Sequence, residues 1–316
     1  FSAREKSLQL RRIWEAVSGI LRKLYPAKLT RKKIIKKMIK HSDYLEGKKN
    51  FLTEKKLMSN EMYDFYMKIF RAQETFLQNC TSLSEDYRKY RREVLPALSV
   101  DDIVIDEGIK QLLHSLLSEL AGIISDINSG MNFSHLGDNF ITEADTLLRA
   151  LLKQDYELLE KKGLENRLDL DEFIFILHNV FKPFMIRLKE CFDLKTERED
   201  WLKANCPLCG YLPDISIITE SRDNKRHLHC SICENKWEFP RMVCPVCGSD
   251  EQSKLGYFEY EDDNSYRVYY CDECKHYIKN VRVPKLKEES KIDLAVEDIV
   301  TSFLDASMIE KGYKRI

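Results

Sequence analysis

No apolar run in this sequence approaches the roughly 18 residues that a membrane-spanning helix requires, and no cationic and apolar leader opens the chain. A soluble, cytoplasmic protein is therefore expected, although the chain begins at Phe1 rather than Met, which is compatible with removal of residues upstream. Paired carboxylates, a nucleophile elbow and a phosphate-binding loop do not stand out. Charge of one sign is also missing: 51 Lys and Arg face 52 Asp and Glu, a net charge of −1. That balance disfavours a general nucleic-acid binder. Cysteine is scarce outside one region, since of ten only Cys80 and Cys191 fall outside the stretch from Cys206 to Cys274. Glutamine is sparse beside abundant Lys and Glu, a composition that suits a thermophile, where intracellular disulfides are an accepted exception.

The chain is long enough to bury a sizeable core, and 43% hydrophobic with 33% charged residues describes a globular protein with charged surfaces. Its first two thirds carry helical periodicity. Apolar residues recur at helical spacing from Leu8 to Leu24, ending at Pro26, and again at Ile34, Ile35, Met38 and Ile39. Further helices are predicted over 58–76, 109–124, 141–159 and 173–192, the last kinked or divided by Pro183. Beyond Cys191 the pattern dissolves into charged residues, which places a domain boundary near residue 195. Short β-rich runs follow at 215–219, 226–229, 257–260 and 266–270, with polar turns between them. After Pro284 a charged linker leads into one closing helix with an apolar stripe of Leu294, Ala295, Ile299, Val300, Phe303 and Leu304, for which Ser290, three residues before Asp293, is the expected cap.

Four C-x2-C pairs occupy the β-rich region: Cys206 with Cys209, Cys230 with Cys233, Cys244 with Cys247, and Cys271 with Cys274. A two-residue gap lets the chain turn back so that both sulfurs point at one ion, giving half of a tetrahedral shell. The pairs form an internal repeat. CPLCG at 206–210 and CPVCG at 244–248 share a Pro that pre-sets the turn and a Gly suited to unusual backbone angles. Each is followed by a hairpin pattern and a second knuckle lacking that Pro and Gly. The repeat favours one ion on Cys206, Cys209, Cys230 and Cys233 and another on Cys244, Cys247, Cys271 and Cys274, with an interleaved arrangement, first knuckle with third, as the alternative. Four such pairs are far more specific for metal than for disulfides or inert thiols. Both zinc and iron accept four sulfurs. With every position filled by protein, no coordination site remains open for hydrolytic catalysis. His227, His229 and His276 lie beside the knuckles as strand or surface residues, or as contacts around the ligands. Trp237 is expected to pack against a knuckle.

Read together, these pieces resemble the formate dehydrogenase accessory protein FdhE family. The resemblance is carried by CPLCG at 206–210, LHCSIC followed by W at 228–237, RMVCPVCG at 241–248, YRVYYCDECKHYIK at 266–279 and DLAVEDIVTSFLDASMIEKGY at 293–313. It implies a helical N-terminal domain (1–195), two tandem rubredoxin-like or zinc-ribbon-like modules (206–233 and 244–274 within 196–284) and a C-terminal helix (285–316). It also implies two metal ions, reported as iron in the family, and a maturation role exercised on the catalytic subunit of formate dehydrogenase. The sequence departs from the family pattern at Tyr211, where a small polar residue is usual, and at Asn235-Lys236 before Trp237, where Thr-Glu is usual. Neither departure touches a ligand. The rival readings are an iron-dependent redox protein acting on the client and a zinc-ribbon nucleic-acid binder. Acidic residues such as Glu259, Glu261, Asp262, Asp263, Asp272 and Glu273 oppose the second. Self-association leaves no signature.

Two other features stand out. Arg31, Lys32, Lys33, Lys36, Lys37 and Lys40 make a basic amphipathic segment, suited to an anionic partner, a membrane face or nucleic acid, and more simply to a solvated helix face. The segment from Gly130 to Gly137, with His135, reads as a polar loop between helices, a plain connection rather than a contact surface.

Overall fold

The computed structural model describes residues 40–126, 134–192, 201–220 and 224–316. The helices predicted at 8–24 and 34–39, and the basic segment apart from Lys40, lie outside them. From His41 to Ile316 the chain forms one unit. It opens with six α-helices: α1 (His41–Glu54), α2 (Asn60–Asn79), α3 (Glu107–Ser125), α4 (Ser134–Lys153), α5 (Tyr156–Glu165) and α6 (Leu170–Cys191). Side-chain caps fix their starts. Ser59 accepts from the Met62 N–H, Asp106 from Ile109, and Asp169 and Glu172 form a capping box. The single helix expected over 141–159 is two, because Gln154 takes φ 56° and Asp155 caps a fresh start by accepting from Leu158. Because α4 begins at Ser134, the end of the expected loop is helical instead.

Pro183 does not divide α6. Proline removes the N–H that would bond the Asn179 carbonyl, and Gln73 of α2 supplies a replacement, its Nε2 donating to that oxygen at 2.9 Å. Arg187 does similar work at the end of α2, donating to the carbonyls of Leu77 and Cys80 at 2.6 Å each. These three bonds tie α6 to α2.

The β-rich region forms one sheet. Its strands are β1 (Pro213–Thr219), β2 (Arg226–Cys230), β3 (Lys236–Phe239), β4 (Leu255–Glu259), β5 (Tyr266–Cys271) and β6 (His276–Val283), in the order β3-β2-β1-β6-β5-β4, with a short β7 (Lys314–Arg315) beside β6. The expected hairpin lies between the knuckles of each half, β1 with β2 and β4 with β5, and a third antiparallel strand beyond the second knuckle, β3 or β6, extends it into a meander. The halves meet through the parallel pair β1 and β6, with Ser216 opposite Asn280. At that seam the Asn280 amide donates to Ser216 Oγ at 2.8 Å, and Ser216 donates to the Lys279 carbonyl.

The closing helix is broken. After a short turn α7 (Leu286–Glu289), α8 (Leu294–Val300) and α9 (Ser302–Glu310) are separated at Thr301. Asp293, not Ser290, caps α8, accepting from the Val296 N–H. Helix α8 is sandwiched. Leu294 joins Ile215, Ile217, Val281 and Val283 of the sheet, while Val296 and Val300 join Leu45, Leu52, Met67 and Phe70 of α1 and α2. Its buried Glu297 carboxylate accepts from Tyr44 at 2.5 Å and Tyr266 at 2.7 Å and pairs with Lys48 at 2.7 Å. Among the described residues no helix is long and apolar enough to cross a membrane.

Gln73→Leu keeps the shape of the side chain but orphans the Asn179 carbonyl, so it is expected to cost about 1–3 kcal/mol in urea unfolding. Adding Pro183→Ala restores an N–H to that carbonyl and should recover most of the loss. Absence of recovery would show that the proline is not the reason for the bond.

Candidate metal centres

All four knuckles close in the same way. The N–H of the residue after the second cysteine donates to the carbonyl of the first: Gly210 to Cys206 (2.8 Å), Glu234 to Cys230 (3.0 Å), Gly248 to Cys244 (3.0 Å) and Lys275 to Cys271 (2.9 Å). That closure needs a left-handed residue after each pair, and the φ values there are 79°, 55°, 74° and 58°. Glycine is at home in that conformation and Glu and Lys are not. Gly210 has a second constraint, since a Cβ there would sit 3.3 Å from Pro96 Cγ.

The structure gathers the thiols into two groups, Cys206, Cys209, Cys230 and Cys233 in one and Cys244, Cys247, Cys271 and Cys274 in the other, with all sulfurs of a group within 4.8 Å of one another. The interleaved combination is not the one brought together. In the first group Cys206 and Cys209 each stand 3.6 Å from Cys233, and Cys209 stands 3.6 Å from Cys230. In the second, Cys244 to Cys274 is 3.6 Å and Cys247 to Cys271 is 3.7 Å. A disulfide would need about 2.05 Å, whereas a tetrahedral shell with metal–sulfur bonds of about 2.3 Å has edges of about 3.8 Å. Each group could hold a metal ion, and the donor set fits zinc or iron. Backbone N–H groups of Leu208 and Val246 reach the first sulfur of their knuckles at 3.4 Å.

The two centres differ in their surroundings. The first is sealed, its four cysteines at most 1% exposed. A loop from the helical part bonds its first knuckle directly, Ala97 N to the Pro207 carbonyl and Leu98 N to the Leu208 carbonyl. Helix α6 holds its second, with Lys189 donating to the Glu234 carbonyl at 2.9 Å. The Glu234 carboxylate is buried between Lys182 at 3.2 Å and His41 Nε2 at 3.0 Å, and His41 Nδ1 meets Asp293 at 2.6 Å. Burial by itself would lower the His41 pKa, but Glu234 and Asp293 outweigh it and raise it to about 10. In the second centre Cys247 is exposed and Cys274 half-buried.

None of the three neighbouring histidines joins a sulfur group. His229 contacts Asp214 at 2.8 Å, His276 bonds the Cys274 carbonyl at 2.8 Å, and His227 lies in β2 opposite Glu238. Trp237 donates to the Lys203 carbonyl, in the segment leading into the first knuckle. Cys80 and Cys191 stand apart in the helical part, where burial pushes the Cys80 thiol up to about 11. The ion network of His41, Lys182, Glu234 and Asp293 was missed from sequence, where Glu234 does not stand out because the equivalent knuckle of the repeat also ends on a charged residue, Lys275.

Known proteins match this same region. Residues 205–241 match the central domain of FdhE and residues 242–316 its C-terminal domain, a division that falls between the two three-stranded halves. Over residues 205–316 the chain is therefore similar to the FdhE family. The FdhE homolog of Aquifex aeolicus is 30% identical over 171 residues, 54% of this chain and 59% of that protein. That of Shewanella sp. (strain MR-4) is 37% identical over 109 residues, 34% of this chain and 35% of that protein. These alignments thus span from about a third to just over half of the relatives' own lengths. The crystal structure of the FdhE protein from Pseudomonas aeruginosa shares the fold, with a TM-score of 0.54 over 80% of this chain and 87% of that one at 22% identity.

Because the folded-state pKa of His41 lies above its unfolded value of about 6.5, its contribution is complete below pH 6.5 and is lost as pH rises towards 10. His41→Gln should therefore cost roughly 3 kcal/mol at pH 6 and progressively less at pH 8 and 9, measured by urea unfolding of the metal-loaded protein. A cost that grows with pH would contradict the assignment.

Proposed function

We propose that the protein is a non-enzymatic accessory factor for formate dehydrogenase, engaging its catalytic subunit during assembly or cofactor insertion, with two metal ions as structural staples. The observation that carries the reading is that the FdhE match over 205–316 coincides with the segment holding all eight converging cysteines. Cys206, Cys209, Cys230 and Cys233 would hold one ion and Cys244, Cys247, Cys271 and Cys274 the other, iron or zinc. Bound metal supplies folding free energy on the order of 10 kcal/mol per site, which a β-rich unit with so little core of its own needs. With four protein sulfurs per ion, no position is left for a water or substrate, which argues against metal-assisted hydrolysis.

A second reading draws on the exposure of Cys247: an iron ion in the second centre would lie near enough to the surface to exchange an electron with a client. The two readings part on metal identity. Protein purified anaerobically is expected to carry two ions per chain and to co-purify with the catalytic subunit of formate dehydrogenase, and its deletion is expected to abolish formate dehydrogenase activity. Full activity in the deletion strain would reject the accessory role, and colourless protein with two zinc ions would reject the electron-exchange reading.

A further inference from the structure

Arg226 on β2 is 2% exposed, yet its side chain leaves its own half of the sheet. Nη2 donates to the carbonyls of Pro240 at 2.6 Å and Val243 at 2.8 Å, the latter immediately ahead of Cys244. The guanidinium lies over the Phe239 ring, 5.1 Å from its centroid. Its Nε is buried without a hydrogen-bond partner, and among the described residues no carboxylate is within ion-pair distance. Arg226 instead lines a cavity of about 30 Å³ whose walls include Cys244 and Cys271 of the second centre and Tyr269, whose buried hydroxyl is likewise unpartnered.

The internal repeat supplies a comparison. Arg267 stands four residues before Cys271 as Arg226 stands four before Cys230, and it too covers an aromatic ring, Tyr257 at 4.3 Å. Arg267, however, has a carboxylate partner, Glu259. Of two arginines at equivalent positions, the one that lines a cavity with cysteines of the second centre has no carboxylate partner among the described residues.

A buried cation is costly unless a negative charge faces it. Four thiolates around a divalent ion carry a net charge of −2, and two of those cysteines line the cavity with Arg226. We propose that Arg226 is the counter-cation of the second four-cysteine centre and, through Val243, the positioning residue for its leading knuckle. Burial lowers the Arg226 pKa only to about 10, so the charge is present at neutral pH. The first half of the sheet thereby contributes a residue to the centre of the second.

This rests on the reading that the cysteines hold metal, and the test separates the two. The full chain is loaded with ¹¹³Cd²⁺, each tetrathiolate signal is assigned through coupling to its own cysteine Hβ protons, and loss of each signal to excess EDTA is timed. Wild-type protein that takes up no cadmium would overturn the metal reading itself. With two signals present, Arg226→Gln is expected to release cadmium from the second centre about tenfold faster or more, leaving the first centre unchanged. Arg226→Met, which fills the space without charge, does the same and serves if the Gln variant does not fold. Arg226→Lys keeps the charge without the fork and should stay within about threefold of wild type. Neutral variants that release at the wild-type rate, or a Lys variant as fast as Gln, would overturn the counter-cation role.

Discussion

Four sulfur atoms gathered within 4.8 Å of one another, some pairs at 3.6 to 3.7 Å, are an arrangement that the polypeptide could not maintain alone once they ionise, because like charges at that distance repel strongly. A cation at the centre of each group would turn that repulsion into attraction, and the local backbone is arranged to suit one. The left-handed residue after each pair, the short N–H to carbonyl closure and the backbone N–H groups aimed at sulfur all serve to present thiolates to one point. Where glycine is absent, at Glu234 and Lys275, the knuckle holds a conformation that costs roughly 1 kcal/mol or more. Metal binding and tertiary contacts are the available sources of compensation.

Those contacts differ between the centres, and the difference follows from what covers each. The first centre is wedged between the sheet and the helices: backbone bonds from Ala97 and Leu98, a lysine from α6 and the ion network around Glu234 surround its four buried cysteines. An ion held there would be part of the joint between the helical part and the sheet. The second centre sits in the outer half, whose edge strand β4 carries exposed Tyr257 and Phe258 and whose Cys247 meets solvent. Ligand exchange and electron exchange both depend on access, so chemistry that involves the surroundings falls to the second centre and architecture to the first.

The legible part of the sequence was the part whose geometry is local. A two-residue gap between cysteines dictates a knuckle wherever it occurs, and capped amphipathic helices such as α2, α3 and α6 state their own limits. What stayed hidden depends on residues distant in sequence. Strand β6 reads poorly because Lys279 and Asn280 interrupt its apolar character, and Lys279 can be buried only because Asp298 and Asp305, on the later helices α8 and α9, meet its ammonium at 2.9 and 2.6 Å. The apolar stripe of the closing segment runs unbroken past Thr301, so nothing in its periodicity marked the break; there the Thr301 hydroxyl bonds back to the Glu297 carbonyl at 2.7 Å. The His41, Glu234 and Lys182 cluster joins three elements and has no linear signature at all.

The parallel pairing of β1 with β6 adds a consequence that two separate modules would not have. Each three-stranded half has one knuckle before its first strand and the other between its second and third, so the pairing of β1 with β6 across the seam makes the register of one half a condition for the other. Ser216 and Asn280 fix that register with a buried hydrogen bond that a slip by one residue would break. A one-residue slip would also exchange the two faces of β6, carrying Lys279 away from its aspartates. A disturbance of the outer cysteine group can therefore reach the inner one through the sheet itself, because β6 starts two residues after Cys274, and β1 starts four residues after Cys209. The continuous sheet makes the tandem repeat a single mechanical element, with its more accessible ion at one end and its joint to the helices at the other.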